Sequence, residues 1–263
     1  MSELLEKALL ANILLQPIQF ILVITTNLLN IRILSSRALR SSPCSSYFCA
    51  HAIFSIVYTL LACPTQFLRG FHIDWASTQF GCPVHFYLLF LVPLQAKVML
   101  LLASFDRYCS SSQLRRLHST SNIQTARLSI AMGSTLSAIY MLPMLFIYYW
   151  NEIDQRCFQL TNTLIHLYVL SQLIFYFILA PTLMICFGFL TILNIRHQSI
   201  RAQIFTRSIR RRRTEGQLAR MLVLQISIHL ILTLPFGITY SMNALDPSTR
   251  TAQILAVRYI LVM

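Results

Sequence analysis

Ala103-Ser104-Phe105-Asp106-Arg107-Tyr108-Cys109 closes an apolar run that opens at Cys82 and carries one charged side chain, Lys97, before Asp106. Arg107 lies 25 residues after Cys82. As a helix rising ~1.5 Å per residue, that stretch reaches about 37 Å. It crosses a bilayer core of ~30 Å and enters the headgroups on both sides. Its two ends differ in chemistry. Cys82 is a thiol that an oxidising exterior can cross-link. The Asp106-Arg107-Tyr108 triplet holds a guanidinium that can exchange an internal carboxylate for an outside partner. The run is read as a membrane-spanning helix, with the rest of the chain arranged about it.

The composition agrees. Of 263 residues, 56% are hydrophobic and 11% charged, against roughly 25% charged in a soluble domain. Mean hydropathy is +0.63. A single integral-membrane domain over 1–263 is expected, with membrane lipid as its main solvent. In a soluble protein the net charge of +13 would suggest nucleic acid. Here its placement along the chain decides its meaning, and no nucleic-acid partner is expected. Residues 1–8 lack a basic stretch and the first apolar run is too long for a signal-peptide core, so no cleavable signal is expected. No Asn-X-Ser/Thr glycosylation sequon occurs in the sequence.

Helices are predicted near 9–31, 46–68, 82–108, 125–149, 164–194, 215–240 and 251–263. The first six segments reach the ~20 residues a spanning helix needs. The seventh stops at Met263, so the expected architecture is an all-α bundle of seven transmembrane helices with the seventh incomplete. The loops 32–45, 107–127 and 194–220 hold 15 of the 21 basic residues. The opposite side holds Glu3, Glu6, Asp74, Glu152, Asp154 and Asp246. The positive-inside bias therefore puts the N-terminus outside and the arginine loops in the cytoplasm, as in a multi-pass plasma-membrane protein. The run Arg210–Arg213 reads as an anchor to anionic inner-leaflet lipid rather than a nucleic-acid patch. Pro64, Pro93, Pro143, Pro181 and Pro235 fall inside apolar runs, where each predicts a kink.

Seven such segments, an outside N-terminus and Asp106-Arg107-Tyr108 closing the third together resemble the rhodopsin-like (class A) G-protein-coupled receptors. Further residues match that family's pattern. Asn27 stands at the first-segment asparagine, Cys82 at the outer cysteine of the third segment, and Cys157 at its loop partner. Pro143, Pro181 and Pro235 stand at the prolines of segments four, five and six. Gln217-Leu-Ala-Arg-Met-Leu with Leu234-Pro235-Phe236 is similar to the sixth segment of invertebrate neuropeptide receptors. The departures matter as well. Ser55 replaces the sodium-binding aspartate, Thr233 the sixth-segment tryptophan and Phe189 the fifth-segment tyrosine. No Asn-Pro-x-x-Tyr occurs.

The resemblance implies a receptor that senses an extracellular ligand, a peptide, and activates a heterotrimeric G protein. A truncated form that binds ligand or heteromerises without signalling is the alternative. It implies a Cys82–Cys157 disulfide; two free thiols are the other reading. It makes Glu215 the carboxylate that holds Arg107 at rest, and the same glutamate would also complement the helix dipole beside Thr214. Leu89 lies 18 residues before Arg107, on the same helix face. Amine receptors carry an aspartate there, so leucine argues against a monoamine. His85, Leu89, Tyr168, Gln172, Tyr240 and Asn243 are the candidate ligand contacts, with Gln95 as a further polar group.

Lys97 is an ionisable side chain at mid-membrane, ten residues before Arg107, which makes it a functional candidate. The resemblance groups it with Pro181, His229 and Pro235 in the core that transmits binding inward. Two basic groups in low dielectric would share one proton or a bridging water. Alternatively, each turns to its own backbone carbonyl. No enzyme, cofactor or metal is expected: no Gly-x-Ser-x-Gly, HxxxH or HExxH pattern is present.

Overall fold

The computed structural model of the chain describes residues 2–36, 39, 42–71, 73, 78–112, 122–152, 156–160 and 162–202, with Leu224 and Ser227. Side chains at 2–9, 156, 159 and 196–202 are outside the described set. Apart from Leu224 and Ser227, so are the sixth and seventh predicted segments, and with them Glu215, His229, Pro235, Tyr240 and Asn243.

Helix α1 spans Ser2–Leu34, α2 Pro43–Gly70, α3 Gly81–Ser111 and α4 Ile123–Met141. Strands β1 (Tyr148–Asn151) and β2 (Arg156–Gln159) follow, and then α5 (Thr163–Leu173), a π turn (Ile174–Leu179) and α6 (Ala180–Ala202). Five stretches among the described residues are long and apolar enough to cross a membrane: Leu10–Leu34, Pro43–Gly70, Gly81–Ser111, Ile123–Ile147 and Thr163–Ile195. The last is α5, the π turn and part of α6 in one continuous span.

Helix α3 is the centre of the bundle and packs on α2, α4, α6 and β1. Toward its Arg107 end, Met99, Leu100 and Ala103 meet Leu34 of α1, Tyr47 and Phe48 of α2, Ala126 of α4 and Met184 of α6. Toward its Cys82 end, Leu91 and Leu94 meet Met141, Met144 and Ile147. In lipid, helices gain little from hiding apolar surface from one another, so close packing carries the association. Gly133 shows this on α4. A Cβ built there would stand 3.2 Å from Val98 Cγ1 and 3.4 Å from Leu102 Cδ1, so the absent side chain lets α4 approach α3.

The fourth helix is shorter than expected. The segment 125–149 is predicted helical throughout, yet α4 stops at Met141. Pro143 has no N–H to donate back along the helix and its ring crowds the preceding turn. The chain resumes as one turn at Met144–Ile147, and Tyr148 and Tyr149 enter strand β1 instead. The aromatic run Tyr148-Tyr149-Trp150 suits an extended, half-buried edge. The strands pair antiparallel, Trp150 opposite Cys157 and Tyr148 opposite Gln159.

Candidate functional site

The Cys82 end is closed by the hairpin. Cys157 of β2 is disulfide-bonded to Cys82 in the first turn of α3, with Cα atoms 5.9 Å apart and a sequence separation of 75. A second attachment lies beside it. The Tyr148 ring stacks on Phe86 of α3, centroids 4.1 Å apart and planes 8° from parallel. Offset stacking of this kind adds about 0.5–1.5 kcal/mol beyond burial. The hairpin is thus fixed to α3 from both strands.

Of the candidate ligand contacts on described residues, His85 is buried and Leu89 half-buried on α3. Tyr168 and Gln172 of α5 are engaged with α4. The Tyr168 hydroxyl donates to the Tyr140 carbonyl at 3.0 Å, and Gln172 Nε2 donates to Met141 Sδ at 3.3 Å. Gln95 also turns to α4, its Nε2 3.3 Å from the Ser134 carbonyl. These three groups therefore bind helices together on this side of the bundle. Phe189, which replaces the fifth-segment tyrosine of the resemblance, is exposed on α6.

At the other end of α3, Asp106 and Arg107 are both buried, each 7% exposed. Arg107 Nη2 donates to Ser42 Oγ at 3.0 Å, while Nε is buried with no hydrogen-bond partner among the described residues. Ser42 occupies the N-cap position of α2 in extended conformation, but its side chain makes no capping bond. Its hydroxyl serves the arginine instead. A helix N-terminus repels a cation, so this is a weak resting place for a guanidinium. Tyr108 lies against Phe187 of α6, ring centroids 5.8 Å apart. Asn194 Nδ2 reaches Ser111 Oγ at 3.4 Å, which ties the same end of α6 to α3.

A disulfide-tied hairpin thus closes one end of a central helix, and a buried arginine stands at the other. The profile of the 7 transmembrane receptor (rhodopsin family) matches residues 26–263. The chain belongs to the rhodopsin family of seven-transmembrane receptors. No curated protein matches it closely enough to count as a relative. As a rhodopsin-family receptor it is a multi-pass membrane protein, and the disulfide and the Asp106-Arg107-Tyr108 triplet, with Asp106 and Arg107 buried, mark the two ends of its central helix.

In this receptor the middle of α3 is braced on both sides through backbone carbonyls. His51 of α2 approaches the Ala96 carbonyl with Nδ1 at 3.0 Å. Lys97, 2% exposed, faces inward and donates from Nζ to the Tyr176 carbonyl at 3.2 Å. Lys97 is thus directed at a backbone carbonyl; His229, the other half of both arrangements open to it, lies outside the described residues. Three partners had escaped sequence reasoning: Ser42, Tyr148 and Tyr176. Ser42-Pro43 does carry a helix-start signal, serine at the cap and proline at the first helical position, but nothing in it points to a bond with Arg107.

Proposed function

We propose that this receptor sits in the plasma membrane with its N-terminus outside, senses an extracellular peptide and activates a heterotrimeric G protein. Arg107 carries the reading. A buried guanidinium at the end of the central helix, resting on a serine hydroxyl with its Nε unpaired among the described residues, is readily handed to another acceptor. Arginine cannot shed its charge in a protein, so any movement that removes one acceptor must supply the next. Glu215, at the start of the sixth segment, is the acceptor at rest. Ligand binding separates that pair, the sixth segment moves outward, and Arg107 meets the G protein in the opened space.

The arginine-rich loops support a cytoplasmic position for this end, and Arg210–Arg213 hold the third of them against anionic lipid. The ligand enters between the hairpin and the Cys82 half of the bundle, with His85, Leu89, Tyr240 and Asn243 among its contacts. Leu89 offers no carboxylate to a ligand ammonium, which disfavours amines. The likeness of 217–236 to invertebrate neuropeptide receptors favours a peptide.

The test is a cell line expressing the full-length receptor, with an N-terminal tag stained on unpermeabilised cells and second messengers recorded against tissue extracts. Tag staining and a response abolished by pretreating the extract with protease are expected. A protease-resistant agonist would overturn the peptide assignment. Extract binding without any second-messenger response would favour the alternative of a receptor that binds or heteromerises only.

A further inference from the structure

The fifth span contains a local change of register whose hydrogen bonds do not close within the helix. Across Ile174–Leu179 the chain is a π turn, an inserted residue that shifts bonding from i−4 to i−5. The Ala180 N–H accordingly donates to the Phe175 carbonyl. In that register the next carbonyl, Tyr176, would receive the N–H of residue 181. Residue 181 is proline and has none. A backbone carbonyl left open in a membrane interior, with no water to serve it, is destabilising. The donor comes from another helix: Lys97 Nζ of α3 stands 3.2 Å from the Tyr176 oxygen. The same nitrogen lies 3.5 Å from the centroid of the Tyr176 ring and 5.1 Å from that of Phe177. Aromatic faces attract a positive charge at these distances.

We propose that Lys97 is a positioning residue that replaces, from α3, the backbone donor missing at Pro181, and so holds the π turn of the fifth span. The inserted residue rotates everything before the turn by ~100° relative to everything after it. Tyr168, Ser171 and Gln172 precede the turn; Met184, Phe187 and Asn194 follow it. The clasp therefore sets how the hairpin-side half of the span, bonded to α4, is phased against the Arg107-side half, packed on α3. A charged side chain at mid-membrane normally costs stability. Here its hydrogen bond and the two aromatic faces offset that cost, and a lysine is long enough to reach between the helices. The proposal rests on this geometry and not on the identity of the ligand.

A double-mutant cycle on the full-length receptor in lipid nanodiscs tests it. Lys97→Met keeps an unbranched side chain and removes the donor. Pro181→Ala restores a backbone N–H at the position that lacks one. Lys97→Met is expected to lower the thermal midpoint by roughly 5 °C, and by less than half as much when Pro181→Ala is also present. Equal losses in both backgrounds would mean the two positions do not share the carbonyl, and would overturn the proposal. Should Lys97→Met fail to fold, Lys97→Gln retains a donor without the charge and must fold better than Lys97→Met.

An independent spectroscopic reading needs no destabilised variant. Lys7 and Lys97 are the two lysines of residues 1–263, so this 263-residue chain labelled with 13C-lysine gives two sets of side-chain signals. Ring current from Tyr176 places the Lys97 ε-methylene upfield of that of Lys7, and Tyr176→Leu returns it. Coincident signals in the unmodified receptor would show that the clasp does not form.

Discussion

Arg107 rests on Ser42 at the position where a serine ordinarily caps its own helix. Pro43 follows it in the first turn of α2. Proline there has no N–H to satisfy, which reduces what a cap must supply, and the hydroxyl is left for the guanidinium. Ser42→Ala should therefore cost little as a helix cap and more as a lost acceptor, about 1–2 kcal/mol in all. It should also raise ligand-independent nucleotide exchange on the G protein, because Arg107 loses one of its resting contacts. A fall in basal exchange would contradict that role. Arg107→Lys keeps the charge but loses the forked donors, and should reduce coupling with little change in the amount of receptor at the surface. At this scale the sequence was informative about which residues matter and silent about what they touch. Arg107 stood out as a charge at the end of an apolar run, whereas Ser42 lies 65 residues away in the chain. Only tertiary packing brings the two together.

Elements carry two further predictions. Gly133 allows the close approach of α4 to α3, and Gly133→Ala should be accommodated by a small shift of Val98. Gly133→Leu cannot be, and overpacking of this kind costs about 1–3 kcal/mol. Surface expression and the thermal midpoint should fall for leucine and hold for alanine. In the hairpin, Cys82→Ser and Cys157→Ser should each lower surface expression. The double mutant should be no worse than either single, because both singles already break the same bond. A clearly additive loss would mean that each thiol has a separate role. The hairpin itself was not legible in the sequence. The apolar run 125–149 reads as one helix because its hydrophobicity is continuous, and hydrophobicity does not record that Pro143 ends it or that the aromatic residues beyond it prefer extended backbone. The π turn escaped for a similar reason. An inserted residue changes hydrogen-bond register without changing composition, so Tyr176 could not be named as the partner of Lys97.

At the scale of the molecule, the membrane class and the family were both legible, because long apolar runs and the asymmetry of arginine answer to the bilayer rather than to contacts within the protein. The proposed ligand face lies partly outside the described residues, which leave out Tyr240 and Asn243. Tyr168, Gln172 and Gln95 are polar residues in an apolar setting, which is equally the signature of groups that bond one helix to the next, and that is how α4 uses them. We propose that the Arg107 end is the signalling end, with Glu215 holding Arg107 at rest. Nucleotide exchange on a purified heterotrimeric G protein, measured with the full-length receptor in nanodiscs and no ligand added, tests this most directly. Glu215→Ala should raise the exchange rate above that of the unmodified receptor, and adding Arg107→Ala to it should return the rate to the receptor-free background. An unchanged rate in Glu215→Ala, or a raised rate that survives the loss of Arg107, would contradict the account.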